Sequence, residues 1–175
     1  MRVVHPWIEG MVDWRATSAL MTHWPDFEEH ELDPADDNAY WRLLDGLWNA
    51  GEDFAIVEHD IEIHADVLPT FESCPEPWCT FPYLGRSFKN YPVPVLRCAL
   101  GCVRFRADLL RANPGLLEAM LPGPSGSLRN PKHWRRCDSL LATVLQRRGY
   151  SVHEHEPHVI HHHDYENDVI SPGWL

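Results

Sequence analysis

The stretch from Phe54 to His64, F-A-I-V-E-H-D-I-E-I-H, changes abruptly from apolar to acidic residues. Its first four residues are apolar and closely follow a glycine, which is typical of a short buried strand rather than a helix. Side chains two positions apart lie on the same face of a strand. The sequence therefore predicts that Glu58, Asp60 and Glu62 point the same way for as long as the strand continues.

Three carboxylates crowded on one face predict a bound cation or a bound proton. Like charges repel one another, and they are tolerated where a cation neutralises them or where one carboxyl keeps its proton. The carboxyl ends of buried strands are also the places where open α/β sheets bind ligands. We therefore expect a binding site at this point. The alternative interpretation is a strand that runs into a solvated acidic loop.

The order of the predicted elements indicates an α/β fold. The first half alternates strands and helices over residues 2–8, 13–24, 27–32, 39–50 and 54–60. The helix over 39–50 has the clearest signal, because its apolar residues recur at helical spacing and Gly51 follows it as a C-cap. Alternating strands and helices are connected by crossovers, which favours a mostly parallel sheet covered by helices.

The second half of the chain has less regular patterns. Prolines and aromatic residues are concentrated in residues 73–94, which predicts an irregular or extended segment that still packs. Further on, the patterns predict a strand over 95–105, helices over 106–120 and 134–148, and a last strand over 151–163. The length of 175 residues predicts a single domain, residues 1–175.

Composition argues against several classes of protein. The net charge of −11 argues against broad binding of nucleic acid and against adhesion to anionic lipid, both of which need a basic surface. No segment is apolar enough for a membrane span. The first ten residues lack the apolar core of a signal peptide, so a cytoplasmic location follows by default.

The five cysteines leave three interpretations open. Their odd number and the expected cytoplasmic location favour buried free thiols. The spacing also permits a disulfide bond between Cys74 and Cys79. A third interpretation is a four-thiolate zinc site that adds Cys98 and Cys102, although gaps of four and three residues are wider than the usual two.

Histidines are concentrated in the last predicted strand, within S-V-H-E-H-E-P-H-V-I-H-H-H-D. The alternation of a strand places His161 and His163 on one face, and His158 and His162 on the other. Imidazole is a common metal ligand, and an acidic pair with one imidazole suits Mn²⁺ or Mg²⁺ that bridges phosphate oxygens. The alternative is a solvated polar end of a strand.

Four motifs together resemble the GT-A fold glycosyltransferases. V-E-H-D-I-E at 57–62 resembles their D-x-D metal motif, although it starts with glutamate. C-A-L-G-C-V-R-F at 98–105 is similar to the glycine-containing strand under the sugar. W-R-R-C-D at 134–138 resembles the helix start where inverting members carry an acidic base. H-V-I-H-H-H at 158–163 resembles the closing strand whose histidine completes the metal shell, and the order matches over about residues 2–164.

The resemblance implies a fold and a reaction. The fold would be a three-layer α/β domain like the nucleotide-diphospho-sugar transferases, with a mostly parallel central sheet. Residues 1–64 would form the nucleotide-binding half, and residues 65–175 the half that completes the acceptor and metal sites. The reaction would move a sugar from a nucleotide-diphosphate donor to a hydroxyl acceptor on a glycan, a protein or a small molecule, with Mn²⁺ or Mg²⁺ as cofactor.

The resemblance also implies the roles of individual residues. Asp60 would be the main metal ligand, His161 the later metal ligand, and His163 its alternate. Glu58, the first acid of the motif, would contact the sugar or the metal. Asp138 would be the general base that deprotonates the acceptor hydroxyl.

Other residues are candidates for contacts with the donor or the acceptor. Three consecutive residues at the end of the first strand could face the nucleotide or pack in the core: His5, Pro6 and Trp7. Arg104 could bind the diphosphate, although a surface position is the commoner role of arginine. Trp78 and Tyr83 could stack on an acceptor sugar or pack in the core.

Two other functions remain as alternatives. His64 and Asp66 form an H-x-D motif that, with His161, matches the triad of non-haem Fe(II) oxygenases. Those enzymes usually have an all-β double-stranded helix, whereas this chain alternates strands and helices. The arginine that two-oxoglutarate members place shortly after the distal histidine is missing here. The other alternative is an α/β module that binds a divalent metal or a protein without catalysis.

Overall fold

A computed structural model describes residues 1–36, 38–84, 100–118 and 134–162 of the chain. Within these residues the chain forms nine strands and five helices. In chain order they are β1 Arg2–Trp7, α1 Trp14–His23, β2 Glu28–Glu31, α2 Ala39–Ala50, β3 Phe54–Val57, β4 Ile61–Glu62, α3 Val67–Ser73, β5 Trp78–Thr80, β6 Tyr83–Leu84, β7 Cys102–Phe105, α4 Ala107–Ala112, α5 Trp134–Arg147, β8 His153–Glu154 and β9 Val159–His161.

The central sheet has six strands in the order β2-β1-β3-β7-β5-β8. Five of the six run in the same direction, and β7 runs against its neighbours β3 and β5. The order β2-β1-β3 results from the two crossovers through α1 and α2. The predicted α/β class with a mostly parallel, helix-covered central sheet is therefore confirmed.

A second, smaller sheet lies beside the end of β3. Its strands have the order β4-β9-β6, with β9 antiparallel to β4 and parallel to β6. In this sheet Ile61 lies opposite His161, and Glu62 lies opposite Ile160. The small sheet therefore brings the acidic segment after β3 against the histidine-rich segment near the end of the described chain.

Two apolar layers cover the two faces of the central sheet. One contains the buried residues of α2, α4 and α5, and the other those of α1 and α3. The four residues of β3 divide between them, with Phe54 and Ile56 in the first layer and Ala55 and Val57 in the second. Burial on both faces explains why β3 reads as a continuous apolar run rather than an alternating one.

The caps of the first two helices follow from local sequence. The Asp13 side chain accepts a hydrogen bond from the backbone N–H of Arg15 at 2.8 Å and so begins α1. Gly51 ends α2 with φ of 67°, in the left-handed region that favours glycine. Both helices lie within about a residue of their predicted bounds, and the predicted role of Gly51 as a C-cap is confirmed.

The prediction that β3 extends to Asp60 is wrong. The strand ends at Val57, and a turn follows in which the Ile61 N–H donates to the Glu58 carbonyl at 3.1 Å. Ile61 then enters the small sheet instead of continuing in the central one. The three acids consequently do not share one strand face, because the chain changes direction between Glu58 and Glu62.

The predicted last strand is also two strands. β8 pairs with β5 in the central sheet, whereas β9 lies in the small sheet. Pro157 stands between them and has no N–H to contribute to a ladder. Within β9 the predicted alternation is confirmed, because Val159 and His161 are buried and Ile160 is exposed.

Several other predictions fall in part outside the described residues: the start of the strand over 95–105, the end of the helical segment over 106–120, and residues 85–94 of the irregular segment over 73–94. In the part of the chain that the structure does describe, no helix has both the length and the apolar character needed to cross a membrane.

Candidate functional site

The turn at residues 58–60 is held in place by neighbouring elements on several sides. The N–H of Glu58 donates to the carbonyl of Gly101 at 2.8 Å, which joins the turn to the start of β7. The N–H of Asp13 donates to the carbonyl of His59 at 3.0 Å, which joins the turn to the start of α1. Backbone hydrogen bonds therefore position the acidic side chains of this turn.

Asp60 and His161 form a buried pair. His161 Nε2 lies 2.9 Å from Asp60 Oδ2, and the residues are 8% and 7% exposed. The backbone supports the same contact, since the N–H of His162 donates to the carbonyl of Asp60 at 2.8 Å. The structure thus brings together two predicted metal ligands that lie 101 positions apart in the chain.

Glu58 and Tyr83 lie over Gly101, next to that pair. A Cβ atom at Gly101 would stand 2.9 Å from the Tyr83 hydroxyl oxygen and 3.1 Å from Glu58 Oε2, so glycine leaves the room that both side chains occupy. The Tyr83 ring lies 5.0 Å from the His161 ring. Burial and the Glu58 charge raise the pKa of Tyr40 well above its ordinary value, which keeps this phenol protonated.

A second acid–histidine pair joins Glu62 of β4 to His162, the residue after β9. His162 Nε2 is 2.5 Å from Glu62 Oε2, and the His162 side chain is nearly inaccessible. The nearby Asp13 has a pKa lowered to about 2, chiefly by its hydrogen bond with the Arg15 side chain, and a charge on His162 adds to the effect. The acids of the 58–62 segment therefore belong to two separate surroundings.

The three residues predicted to face a nucleotide lie in β1, and two of them, His5 and Pro6, hydrogen-bond to Val57 and His59. His5 is buried, and its Nδ1 donates to the Val57 carbonyl at 2.8 Å. The Pro6 carbonyl accepts a hydrogen bond from His59 Nδ1 at 3.3 Å, and the Trp7 carbonyl accepts one from the N–H of Leu32 in the strand connection beyond β2. Contact between these residues and a nucleotide stays a prediction.

Arg104 is 1% exposed, which rules out the alternative of a surface arginine. Its Nη1 donates to the Glu76 carbonyl at 2.8 Å, and its Nη2 donates to the Cys74 carbonyl at 2.7 Å. These hydrogen bonds hold the segment between α3 and β5 against the central sheet. They give the buried guanidinium a structural role, and a contact with a diphosphate stays a prediction.

Two further predicted site residues have little structural description. Asp138 lies in the second turn of α5, which begins at Trp134, and its side chain is outside what the structure describes. The role of Asp138 as a base stays a prediction. His163 lies outside the described residues.

The iron triad of the oxygenase alternative is not assembled within the described chain. His64 Nε2 donates to the Pro157 carbonyl at 3.3 Å, whereas His161 contacts Asp60. Of the described residues, His64, Asp66 and His161 do not form a group of three converging ligands. The mostly parallel sheet is also unlike the all-β double-stranded helix of those enzymes.

One group of three possible metal ligands within the described residues was not expected from the sequence. The ligand atoms of Cys74, His153 and His155 all lie within 4.8 Å of one another, and Glu58 does not join Asp60 and His161 in a comparable group. Burial, followed by the charges of His153 and Arg104, lowers the pKa of His155. The signal in the sequence was the i, i+2 spacing of the two histidines.

The described cysteines are free and buried: Cys74, Cys79, Cys102 and Cys137. The interpretation of a disulfide bond between Cys74 and Cys79 is therefore wrong, and that of buried thiols is confirmed for these four. Burial raises the pKa of the Cys79 and Cys102 thiols far above its ordinary value, so both stay protonated. Cys98, which the four-thiolate site requires, lies outside the described residues.

The architecture is similar to that of a solved glycosyltransferase. The crystal structure of a glycosyltransferase involved in the glycosylation of the major capsid of PBCV-1 superposes with a TM-score of 0.53 at 10% sequence identity, over 92% of this chain and 93% of that one. The crystal structure of A197 from STIV gives a TM-score of 0.42 at 15% identity, over 63% of this chain and 68% of that one.

Comparison of sequences gives no further assignment, because no protein-family model and no curated protein matches the chain. At 10% identity the structural likeness concerns the fold alone. The chain therefore has a glycosyltransferase-like α/β fold, and its function is argued from the residues of the site.

Proposed function

We propose that this protein is a glycosyltransferase that moves a sugar from a nucleotide-diphosphate donor to a hydroxyl acceptor, with a divalent cation at Asp60 and His161. The observation that carries the proposal is the buried contact of these two residues, 2.9 Å apart, at the carboxyl end of β3. This is the edge of an α/β sheet where ligands usually bind. The likeness of the fold to a glycosyltransferase supports the same reaction class.

The donor set fits a hard or borderline cation. Carboxylate oxygen and imidazole nitrogen suit Mn²⁺, and carboxylate oxygen with water suits Mg²⁺. Asp60 and His161 would hold the ion, and phosphate oxygens and water would supply the other ligands. A bound cation would neutralise the negative charge that develops on the leaving diphosphate.

Glu58 and Tyr83 are proposed to bind the donor sugar beside this pair. Their oxygens converge over Gly101, where a larger residue would displace them. A carboxylate accepts hydrogen bonds from sugar hydroxyls, and a phenol both donates and accepts them. Because Glu58 lies outside any three-ligand group among the described residues, we assign it to the sugar rather than to the metal.

The experiment that tests the metal site is calorimetric titration of Mn²⁺ and a nucleoside diphosphate into the Asp60→Asn variant. This change keeps the shape of the side chain and removes its charge, so Mn²⁺-dependent nucleotide affinity should fall by about 10-fold or more. The matched control is Asp66→Asn, an exposed acid in front of α3, which should bind like the wild type. An unchanged Mn²⁺-dependent nucleotide affinity in a well-folded Asp60→Asn variant would contradict the assignment of Asp60 as a metal ligand.

Asp138 is proposed to accept the proton of the acceptor hydroxyl. Asp138→Asn keeps the size of the side chain and removes its basicity, so transfer should slow by about 10²-fold or more. Donor binding and the melting temperature should change little. The measurement is the transfer rate beside a melting curve for the same variant. Full activity per folded molecule would remove Asp138 as the base and make a retaining mechanism the better proposal.

A further inference from the structure

A cluster of one cysteine and two histidines lies at the edge of the central sheet. Cys74 immediately follows α3, His153 lies in β8, and His155 follows that strand. The parallel pairing of β8 with β5 places His153 beside Cys79, five positions after Cys74. Two separate elements of the fold therefore converge on this point.

The geometry of the cluster is close to that of a metal site. The three ligand atoms lie within 4.8 Å of one another. Ligand atoms on one tetrahedral zinc ion lie about 3.5 Å apart, given bonds of about 2.0–2.3 Å. The His153 side chain is exposed and its ring already lies 4.6 Å from the His155 ring, so a small rotation would close the difference.

His155 supplies an independent sign of a missing partner. Its Nε2 atom is inaccessible and makes no hydrogen bond to any described residue. A buried polar nitrogen without a partner is unfavourable, and such atoms in folded proteins usually bind a water molecule or an ion. Cys74 is buried, and its sulfur lies within 4.8 Å of a ring nitrogen of His155.

The chemistry of the donors selects the class of ion. A thiolate and two imidazoles suit Zn²⁺ and related transition metals, whereas Mg²⁺ and Mn²⁺ prefer carboxylate and water oxygens. We propose that Cys74, His153 and His155 bind Zn²⁺ at a site separate from Asp60 and His161. Three protein ligands leave one tetrahedral position for water.

The ion would stabilise β8, a short strand at one edge of the central sheet. β8 has two residues, both exposed, and among the described strands it pairs with β5 alone. A zinc ion would tie this strand to the end of α3. The buried Arg104 supports this arrangement, because its Nη2 donates to the Cys74 carbonyl at 2.7 Å and so fixes the backbone of the proposed thiolate ligand.

The test uses the full chain, reduced and stripped of metal, titrated with Co²⁺ as a spectroscopic substitute for Zn²⁺. We expect a thiolate-to-cobalt charge-transfer band in the near ultraviolet that saturates at one Co²⁺ per chain; Co²⁺ at Asp60 and His161, which offer no thiolate, would not contribute to that band. Cys74→Ala should abolish the band. His155→Gln and His153→Gln should each weaken Co²⁺ binding by more than about 100-fold. Loss of a residue that only hydrogen-bonds to a ligand costs about 10–100-fold, and loss of a ligand itself should cost more.

Two controls keep the result specific. His158→Gln removes a histidine outside the cluster and should bind Co²⁺ like the wild type. Asp60→Asn should keep the charge-transfer band, which separates this site from the proposed transferase site. The proposal is overturned if the wild type shows no thiolate band, if the band survives in Cys74→Ala, or if His158→Gln loses as much affinity as His153→Gln. Since His153 is exposed, its variant should fold even if that of Cys74 does not.

Discussion

His5 is a buried titratable group at the start of the site. Its ring lies 5.4 Å from the Phe27 ring, and its Nδ1 donates to the Val57 carbonyl at 2.8 Å. Burial lowers the pKa of His5, and the charge of His59 lowers it further, although the hydrogen bond and nearby acids act in the opposite direction. The folded protein therefore keeps this imidazole neutral.

This pKa shift predicts a loss of stability in mild acid. The unfolded chain gains the His5 proton near pH 6.5, whereas the folded chain gains it only at lower pH. The contribution of His5 to the free energy of unfolding is thus complete above about pH 6.5 and is lost as the pH falls. The variant His5→Asn keeps an N–H donor. Its free energy of unfolding, measured in urea, should fall less than that of the wild type between about pH 7 and about pH 5.

The control for this measurement is His30→Asn, a change at an exposed histidine of β2. It should keep the pH dependence of the wild type. If His5→Asn and the wild type lose stability with the same slope, the imidazole of His5 does not titrate differently in the two states.

At the scale of elements, the start of α1 links helix formation to the site. Asp13 caps the helix through its side chain, and its backbone N–H donates to the His59 carbonyl at 3.0 Å. The Arg15 side chain bonds the same carboxylate at 2.6 Å. The cap therefore serves both the helix and the turn that carries Asp60.

Loss of this cap should be measurable. Asp13→Ala should lower the free energy of unfolding by about 0.5–2 kcal/mol, and Asp13→Asn by less, since asparagine also caps helices. The matched control is Asp66→Ala, because Asp66 precedes α3 without a side-chain cap hydrogen bond. Denaturant unfolding of the three variants provides the comparison, and equal losses in Asp13→Ala and Asp66→Ala would contradict the argument.

Elements with local signals were predicted well from the sequence. The caps of α1 and α2 are decided by residues within one turn of the helix, so their bounds could be read directly. By contrast, β3 was predicted three residues too long, because the chain turns after Val57 and then pairs in the small sheet. The short α3 was missed, since Pro69 looks like a breaker, yet it lies in the first turn where no N–H is needed.

The contrast between local signals and long-range pairing also explains which parts of the site could be predicted. The pairing of Asp60 with His161 followed from a resemblance that covers both motifs, and the structure brings them into contact. The approach of Cys74 to His153 depends on the pairing of β5 with β8. No local pattern records that pairing, and it became visible only when the strands were placed in a sheet.

At the scale of the whole molecule, one of the two edges that the described strands give the central sheet is acidic. β2 is an edge strand among the described strands, and all four of its residues are exposed: Glu28, Glu29, His30 and Glu31. Charged side chains on an edge strand discourage pairing with another chain, because association would bring like charges together.

Replacement of these charges should promote self-association. The double change Glu29→Val and Glu31→Val should give larger species in size-exclusion chromatography with light scattering, since an apolar edge with free N–H groups recruits further strands. The control is Glu72→Val with Glu76→Val, two exposed acids outside the sheet, which changes the net charge equally. Equal association of both double variants would show that overall charge, and not the edge, controls solubility.

The contact between Asp60 and His161 has a consequence for the biosynthesis of the protein. The two residues lie 101 positions apart, so at about 5–20 residues per second the ribosome adds the histidine about 5–20 s after the aspartate. During that interval the nascent chain carries its acidic turn without the imidazole. The pair of Asp60 and His161, and with it the proposed cation site, is therefore complete only when synthesis has passed β9.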